Sequence, residues 1–386
     1  MDYAIKVLSK LVSFNTDSSQ KSNYLECAAY IASEGKKLGL KVTKINFKGK
    51  DGKPRPNVLL EWNVNAQETA MLLTHFDVVP AGKGWSTNPF VLTKKGNYYY
   101  GRGTNDDKGA IASCFAAIHE MKKSNAIPSK NVKILVVCDE EVGGEEGVGL
   151  VIKNKSSLIE ADFCVAIDGT LEDFSIGCSG IIRGDIIFSG KGGHAAYDFK
   201  TGNLLEKTIL FANGLSDYKN IRKKKKSIIG APENPVSDKM FGRFNITKFN
   251  AGTQYNVLPA EATIGFDLRL LPEENGKKVA LDFTSFVKKK STQFGLIPKF
   301  NYTITEGYYT LEKKFTPIIK KAAEKAVGKK LKSVSEFGGT DSRFISLLGT
   351  PAYTFGPGGS GLHSNKERIS FADIKKTAKF IKFILS

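Results

Sequence analysis

VKILVVCDEE, residues 132–141, runs from an apolar segment of strand length straight into three acids. The near-continuous Val, Ile and Leu run reads as a strand covered on both faces, the kind that builds parallel sheets in α/β proteins. Three carboxylates leaving such a strand together cannot easily share solvent. Either one of them stays protonated or cations compensate them.

Two further segments repeat this plan. TAMLLTHFD (69–77) and ADFCVAID (161–168) are apolar runs that each end on an acid or an imidazole, and NVLLEW (57–62) adds another strand. Between and around them lie helical patterns at Tyr3–Val12, Asn23–Leu38 and Ala110–Lys122, and a closing helix in ADIKKTAKFIKFILS (372–386). Alternating strands and amphipathic helices predict an α/β domain with a largely parallel central sheet flanked by helices. The texture changes near Cys178. IIRGDIIFSG, LLEKTILFANGLSDY, GRFNITKFNAG, EATIGFDLRLL, VALDFTSFVKKKSTQFG and KFNYTITEGYY follow the order β-α-β-β-α-β, which matches a ferredoxin-like α+β unit. The expected organisation is a catalytic domain over 1–177 and 297–386, with an inserted lid and dimerisation domain over 178–296.

The formal charge of +18 raises the possibility of a nucleic-acid partner. The densest basic block, IRKKKKS at 221–227, reads as turn-like solvated surface, with no interleaved aromatic platform and no recognisable nucleic-acid module. Nucleic acid is therefore not expected as the main partner. The five cysteines are scattered without CxxC spacing and read as small buried hydrophobes in a reducing compartment. The sequence starts without the pattern of a secretory signal and has no membrane-spanning run, so the default expectation is a cytoplasmic protein with no membrane partner.

The chemistry-bearing residues are few. Of four histidines, His75 stands two residues before Asp77 at a strand end, an arrangement suited to a ligand and the carboxylate that orients it. GRGTNDDKG (101–109) can aim Asp106 or Asp107 inward just before a helix, although adjacent acids there also read as caps. Asp139, Glu140 and Glu141 end one strand and Asp168 another, while Glu145 and Glu146 read as surface loop. His194 in GKGGHAA and His363 in GPGGSGLHSN sit among glycines, whereas His119 reads as a helix surface or packing residue. Five residues, His75, Asp106, Glu141, Asp168 and His363, suit two borderline cations sharing one carboxylate. Their mixed imidazole and carboxylate set favours two Zn²⁺ or Co²⁺ ions over Mg²⁺. A bridging hydroxide, a carboxylate base and a polarised carbonyl together give amide hydrolysis.

In this order and spacing THFDVVP, GRGTNDDKGA, CDEEVGG, AIDG, GGHAA and GLHSNKE resemble the M20 family of metallopeptidases and deacylases, over essentially the whole chain. The resemblance implies that His75 and Asp168 serve one metal, Glu141 and His363 the other, and that Asp106 bridges them, with Asp107 beside it as a capping or supporting group. It implies catalytic roles for Glu140 as the general acid/base, for Asp77 in orienting His75, and for His194 in reaching a partner subunit's site to stabilise the oxyanion. Asn256, Arg269, Gly339 and Thr340 match positions that contact substrate. An Arg fork there suits a free carboxylate. The implied enzyme is a zinc-dependent homodimer joined through the lid. It would act on a small carboxylate-bearing N-acyl amino acid or short peptide, in the manner of acetylornithine deacetylase or succinyl-diaminopimelate desuccinylase. The alternatives are a metallo-carboxypeptidase or dipeptidase of the same family, or, from another class, a non-catalytic basic binding protein on a hydrolase scaffold.

Overall fold

The computed structural model describes residues 2–386, which divide into two compact units. The larger comprises 2–176, 310–333 and 340–386, and the smaller 177–309 and 334–339.

In the larger unit the strands run in the order Lys41–Lys48, Pro54–Trp62, Asn131–Val137, Thr69–His75, Phe163–Ala166 and Ala352–Thr354. The last four are mutually parallel, whereas Lys41–Lys48 and Pro54–Trp62 pair antiparallel with each other, and Pro54–Trp62 is antiparallel to Asn131–Val137. Thr354 also pairs antiparallel with Ser175. The sheet is thus mixed, which corrects the expectation of a largely parallel one. The cause is local: residues 49–53 are too short a link for a crossover, so the two strands they join fold back on each other. The sequence reading names no strand at 41–48, where only Ile45 is buried and the apolar signal is weak. Helix Phe371–Leu385 packs on Lys108–Lys123 and Phe315–Val327, Asp2–Ser13 packs on Lys108–Lys123, and Tyr24–Lys37 covers Pro54–Trp62. Ser370 and Asp373 form a reciprocal cap that starts the closing helix. Leu59, Leu72, Leu135, Val165, Phe115 and Ile381 are fully buried between sheet and helices. Each such side chain contributes roughly 1.5–3 kcal/mol through burial.

The smaller unit has a four-stranded, wholly antiparallel sheet in the order Arg243–Ala251, Glu261–Arg269, Ile181–Ser189, Pro298–Thr305. Helices Leu204–Gly214, Ser216–Lys224 and Gly276–Thr292 pack on it around Phe188, Phe211, Phe244, Phe266 and Phe283. Strand Pro298–Thr305 pairs with Ile181–Ser189, so this unit extends past the expected boundary at 296. IRKKKKS is not a turn: it is the end of one helix and the start of strand Lys226–Gly230. Gly193–His194 and Val257–Leu258 form a separate two-stranded ladder. All five cysteines are buried and free. Among the described residues no helix is long and apolar enough to cross a membrane.

Candidate metal centre

The site forms where parallel strands stop. His75 pairs with Val137 and Leu73 with Ala166, so three neighbouring strands end at one edge of the sheet. That carboxyl-end edge is where α/β proteins collect ligands. Asp77, the 139–141 acids and Asp168 therefore emerge side by side. Asp106 arrives from the turn before helix Lys108–Lys123, and His363 from the loop ahead of strand Arg368–Ser370. Gly143 and Gly144, at φ 114° and 72°, turn the chain directly after the acids into a conformation that side-chain-bearing residues rarely adopt.

Asp106 stands between two imidazoles. Its Oδ1 lies 3.0 Å from Nε2 of His75, and its Oδ2 lies 2.9 Å from Nε2 of His363. The same His363 nitrogen is 3.1 Å from Oε2 of Glu141. Donor atoms of His75, Asp106 and Asp168 lie within 4.8 Å of one another, as do those of Asp106, Glu141 and His363. All five expected ligands are thereby brought together, in two groups that share Asp106. Asp77 braces both sides of this arrangement. Nδ1 of His75 lies 3.1 Å from the Asp77 carbonyl and 3.4 Å from its Oδ1, while the Asp77 carboxylate accepts the backbone N–H groups of Glu140 and Glu141, each at 3.2 Å. Val79 donates its N–H to Oε1 of Glu141 at 3.2 Å.

The electrostatics show what the centre lacks. Burial pushes Glu141 up to about 7 and Asp168 up to about 6, and it drives Glu140 well above the usual carboxylate range, with Asp168 and Asp341 adding to the effect. Burial acts upward on Asp106 too, but hydrogen bonds from His363 and His75 outweigh it and hold that carboxyl below its usual range. The bond to Asp106, then that to Glu141, raises His363 to about 10. Packed carboxylates raised by desolvation, with the imidazoles of His75 and His363 pulling the other way, are a donor set suited to cations. Two divalent cations fit it, one for each group of three.

Asp139 is not part of this set. Its side chain turns away and is compensated by Arg55 and by Lys21, the latter at 2.9 Å. Asp107 begins the helix but makes no capping bond. Its buried carboxylate accepts from the Thr74 hydroxyl and, at 3.3 Å, from the His75 N–H. Glu146 is more than surface loop, because it pairs with Arg55 at 2.7 Å. His119 is a packing residue, stacked on Tyr3 with ring centres 4.3 Å apart. Thr340, buried in the larger unit, accepts the Ser342 N–H at 3.1 Å. In the smaller unit His194 is exposed and accepts the Ala196 N–H at 3.1 Å, and the Asn256 carbonyl accepts the Ala195 N–H at 2.9 Å. Arg269 pairs with Asp267 at 2.8 Å, and Gly339 is exposed.

Sequence reasoning missed three residues. Glu367, fully buried, pairs with Arg102 and accepts the N–H groups of Asn105 at 2.9 Å and Asp106 at 3.2 Å. Arg55 holds Asp139. Asp341 is buried with neither carboxylate oxygen hydrogen-bonded among the described residues, and burial pushes it up to about 7. Glu367 lies within GLHSNKE and Asp341 directly after Gly339 and Thr340, but nothing in the sequence marks either apart from its neighbours.

A mixed α/β unit carrying paired imidazole–carboxylate groups at its strand ends is the architecture of a metallohydrolase. Residues 71–386 match the family model described as peptidase family M20/M25/M40, and the chain belongs to that family. It is similar to succinyl-diaminopimelate desuccinylase of Pelagibacter ubique, with 30% identity over 92% of each chain. It is also similar to an uncharacterised metallohydrolase of Methanococcus maripaludis, with 24% identity over 98% of this chain and 97% of that one. Among solved structures, an M20 family metallo-carboxypeptidase from Sulfolobus solfataricus superposes with TM-score 0.79 at 20% identity, covering 100% of this chain and 99% of that one. Human carnosine dipeptidase 1 does so with TM-score 0.74 at 18% identity, covering 100% and 96%. These two share the fold. The protein is an M20-family hydrolase of amide bonds with two candidate metal sites.

Proposed function

We propose that this enzyme removes an acyl group from the amine of a small, carboxylate-bearing N-acyl amino acid, as a succinyl-diaminopimelate desuccinylase or acetylornithine deacetylase does. The observation that carries the reading is the sharing of Asp106 between the His75–Asp168 and Glu141–His363 groups. The 30% identity to a desuccinylase over 92% of both chains supports the choice of substrate class.

Zn²⁺ or Co²⁺ held by these five residues would lower the pKa of water and polarise the acyl carbonyl. The chain's own residues do the rest. Asp77 keeps His75 in one orientation and fixes the backbone of Glu140 and Glu141. Glu140, whose desolvated carboxyl takes up protons readily, removes a proton from the attacking water and returns it to the leaving nitrogen. The water oxygen bonds to the acyl carbon, the C–N bond breaks, and a carboxylate and an amine depart. By the family resemblance Asn256 and Arg269 are assigned to the substrate's carboxylate, and Gly339 and Thr340 to substrate contact.

The smaller unit is read as a ferredoxin-like lid, because four strands numbered in chain order stand as 2-3-1-4 with helices on the sheet. Two copies would join through it, and His194 would serve the partner's site. A cytoplasmic location is part of the same reading.

The test is a hydrolysis screen of N-succinyl-diaminopimelate, N-acetylornithine and dipeptides with added Zn²⁺ or Co²⁺, and again after chelation. Metal-dependent release of succinate or acetate is the expected result. Turnover of dipeptides alone would move the protein to the peptidase branch. Amide hydrolysis at full rate without metal, or none with it, would overturn the reading. Salt-sensitive retention on heparin with no hydrolysis would favour a basic binding protein instead.

A further inference from the structure

The turn that carries Glu140 and Glu141 is fastened from two sides. On one side Asp77 takes both backbone N–H groups. On the other, Asp139 is 1% exposed and reaches Arg55, Lys21 at 2.9 Å and the Tyr24 hydroxyl at 3.3 Å. Asp139 has φ 67°, in the left-handed region that costs a non-glycine residue roughly 1 kcal/mol or more. Its carbonyl accepts the N–H groups of Val142 at 3.3 Å and Gly144 at 2.7 Å, which closes the turn. Displacing Asp139 therefore displaces both glutamates.

Arg55 is 2% exposed and holds more than Asp139. Its guanidinium donates to Oε2 of Glu146 at 2.7 Å and to Oδ2 of Asp51 at 3.0 Å. Glu146 in turn accepts the Lys50 N–H at 2.9 Å. One planar fork thus joins both ends of the 139–146 segment to the 49–55 link. Lys21 already gives Asp139 a cation, so neutralisation alone does not require a second. What Arg55 adds is direction, since a planar fork of five donors holds several carboxylates in one fixed geometry, whereas an ammonium is a point charge with rotatable donors.

We propose that Arg55 is a positioning residue for the metal centre: by clamping Asp139 and Glu146 it sets where Glu141 presents its ligand oxygen and where Glu140 presents its proton acceptor. The proposal rests on the reading of those two glutamates given above.

Arg55→Lys, Arg55→Met and the double variant Arg55→Met/Asp139→Asn test it. Co²⁺ is titrated into each full-length protein and followed by visible absorption, with far-UV circular dichroism and thermal unfolding alongside. The kcat and KM for N-succinyl-diaminopimelate are then measured. Folded Arg55→Lys should bind Co²⁺ roughly 10–100-fold more weakly at one of its two sites, with a shifted visible band. Its kcat should fall by a similar factor while KM stays within about threefold. The double variant removes Arg55 and the Asp139 charge together but leaves Lys21, whose side chain is largely buried, without its carboxylate partner. It should therefore stay less stable than wild type and bind Co²⁺ no better than Arg55→Met. If Arg55→Met fails to fold, the other two variants decide. Folded variants with wild-type Co²⁺ titrations, spectra and kcat would overturn the proposal and leave Arg55 a purely stabilising residue. A wild-type chain that takes up no Co²⁺ would instead bring down the site reading itself, and the clamp with it.

Discussion

Glu367 accepts the backbone N–H of Asp106 at 3.2 Å, so it fixes the residue common to both candidate metal-binding groups. The other carboxylate oxygen pairs with Arg102, whose side chain also lies over Trp85. Glu367→Gln leaves the buried guanidinium without its counter-charge, at a cost of about 3–5 kcal/mol. The melting temperature should fall by roughly 5 °C. A thermal scan of the metal-free protein checks this, and a fall of a degree or two would deny the pair its importance.

Glu140 is placed beside the ligands but belongs to neither group of three. Glu140→Ala should therefore keep two metals per chain while kcat drops about 10²–10⁴-fold. Elemental analysis of the same preparation used for kinetics separates the two quantities. A variant that stays active contradicts the proton-transfer role.

Because Asp106 serves both groups, Asp106→Asn should weaken both sites, whereas Glu141→Gln should spare the His75–Asp168 group. Co²⁺ titration should show no tight site in the first variant and one in the second. Two unchanged sites in Asp106→Asn would refute the sharing.

The metal-free protein should lose stability as pH rises from about 4 to about 8. Asp168 at about 6 and Glu141 at about 7 are raised acids: the folded state holds their protons more firmly than the unfolded chain, so stability declines once pH passes the ordinary carboxylate value. His363, raised to about 10, gives stability present below its unfolded value and lost up to about 10, which has the same sign. Asp106, held low, acts oppositely, with its window below the ordinary carboxylate range, and Lys108, lowered by burial to about 8, acts oppositely above pH 8. Bound Zn²⁺ or Co²⁺ should flatten this decline, so the gain in melting temperature on adding metal should widen between pH 5 and 8. A gain that shrinks with pH would contradict the electrostatic account.

The strand ends were legible because apolar runs such as VKILVVC and MLLT announce a buried strand, and whatever follows them must emerge at an edge. That logic pointed to His75, the 139–141 acids and Asp168, and glycine-rich context drew attention to the Asp106–Asp107 pair and His363, while the choice among adjacent acids came from the resemblance to the M20 family. It failed where partners are distant. Arg55 and Asp139 are 84 positions apart and Arg102 and Glu367 are 265 apart, so nothing local distinguishes these arginines among 57 basic residues. Glu146 looked identical to Glu145, yet one reaches Arg55 and the other is exposed. The antiparallel edge of the sheet escaped notice because a strand with one buried residue carries almost no periodic signal.

The smaller unit interrupts the larger one between Ile176 and Thr310, and this has a consequence during synthesis. A ribosome has delivered His75, Asp106, Glu141 and Asp168 long before it reaches His363. Glu367, which accepts the Asp106 N–H, also follows the smaller unit. Both groups of three therefore wait for the later segment of the larger unit to pack onto the earlier one, and that unit folds around its interruption before either group is in place.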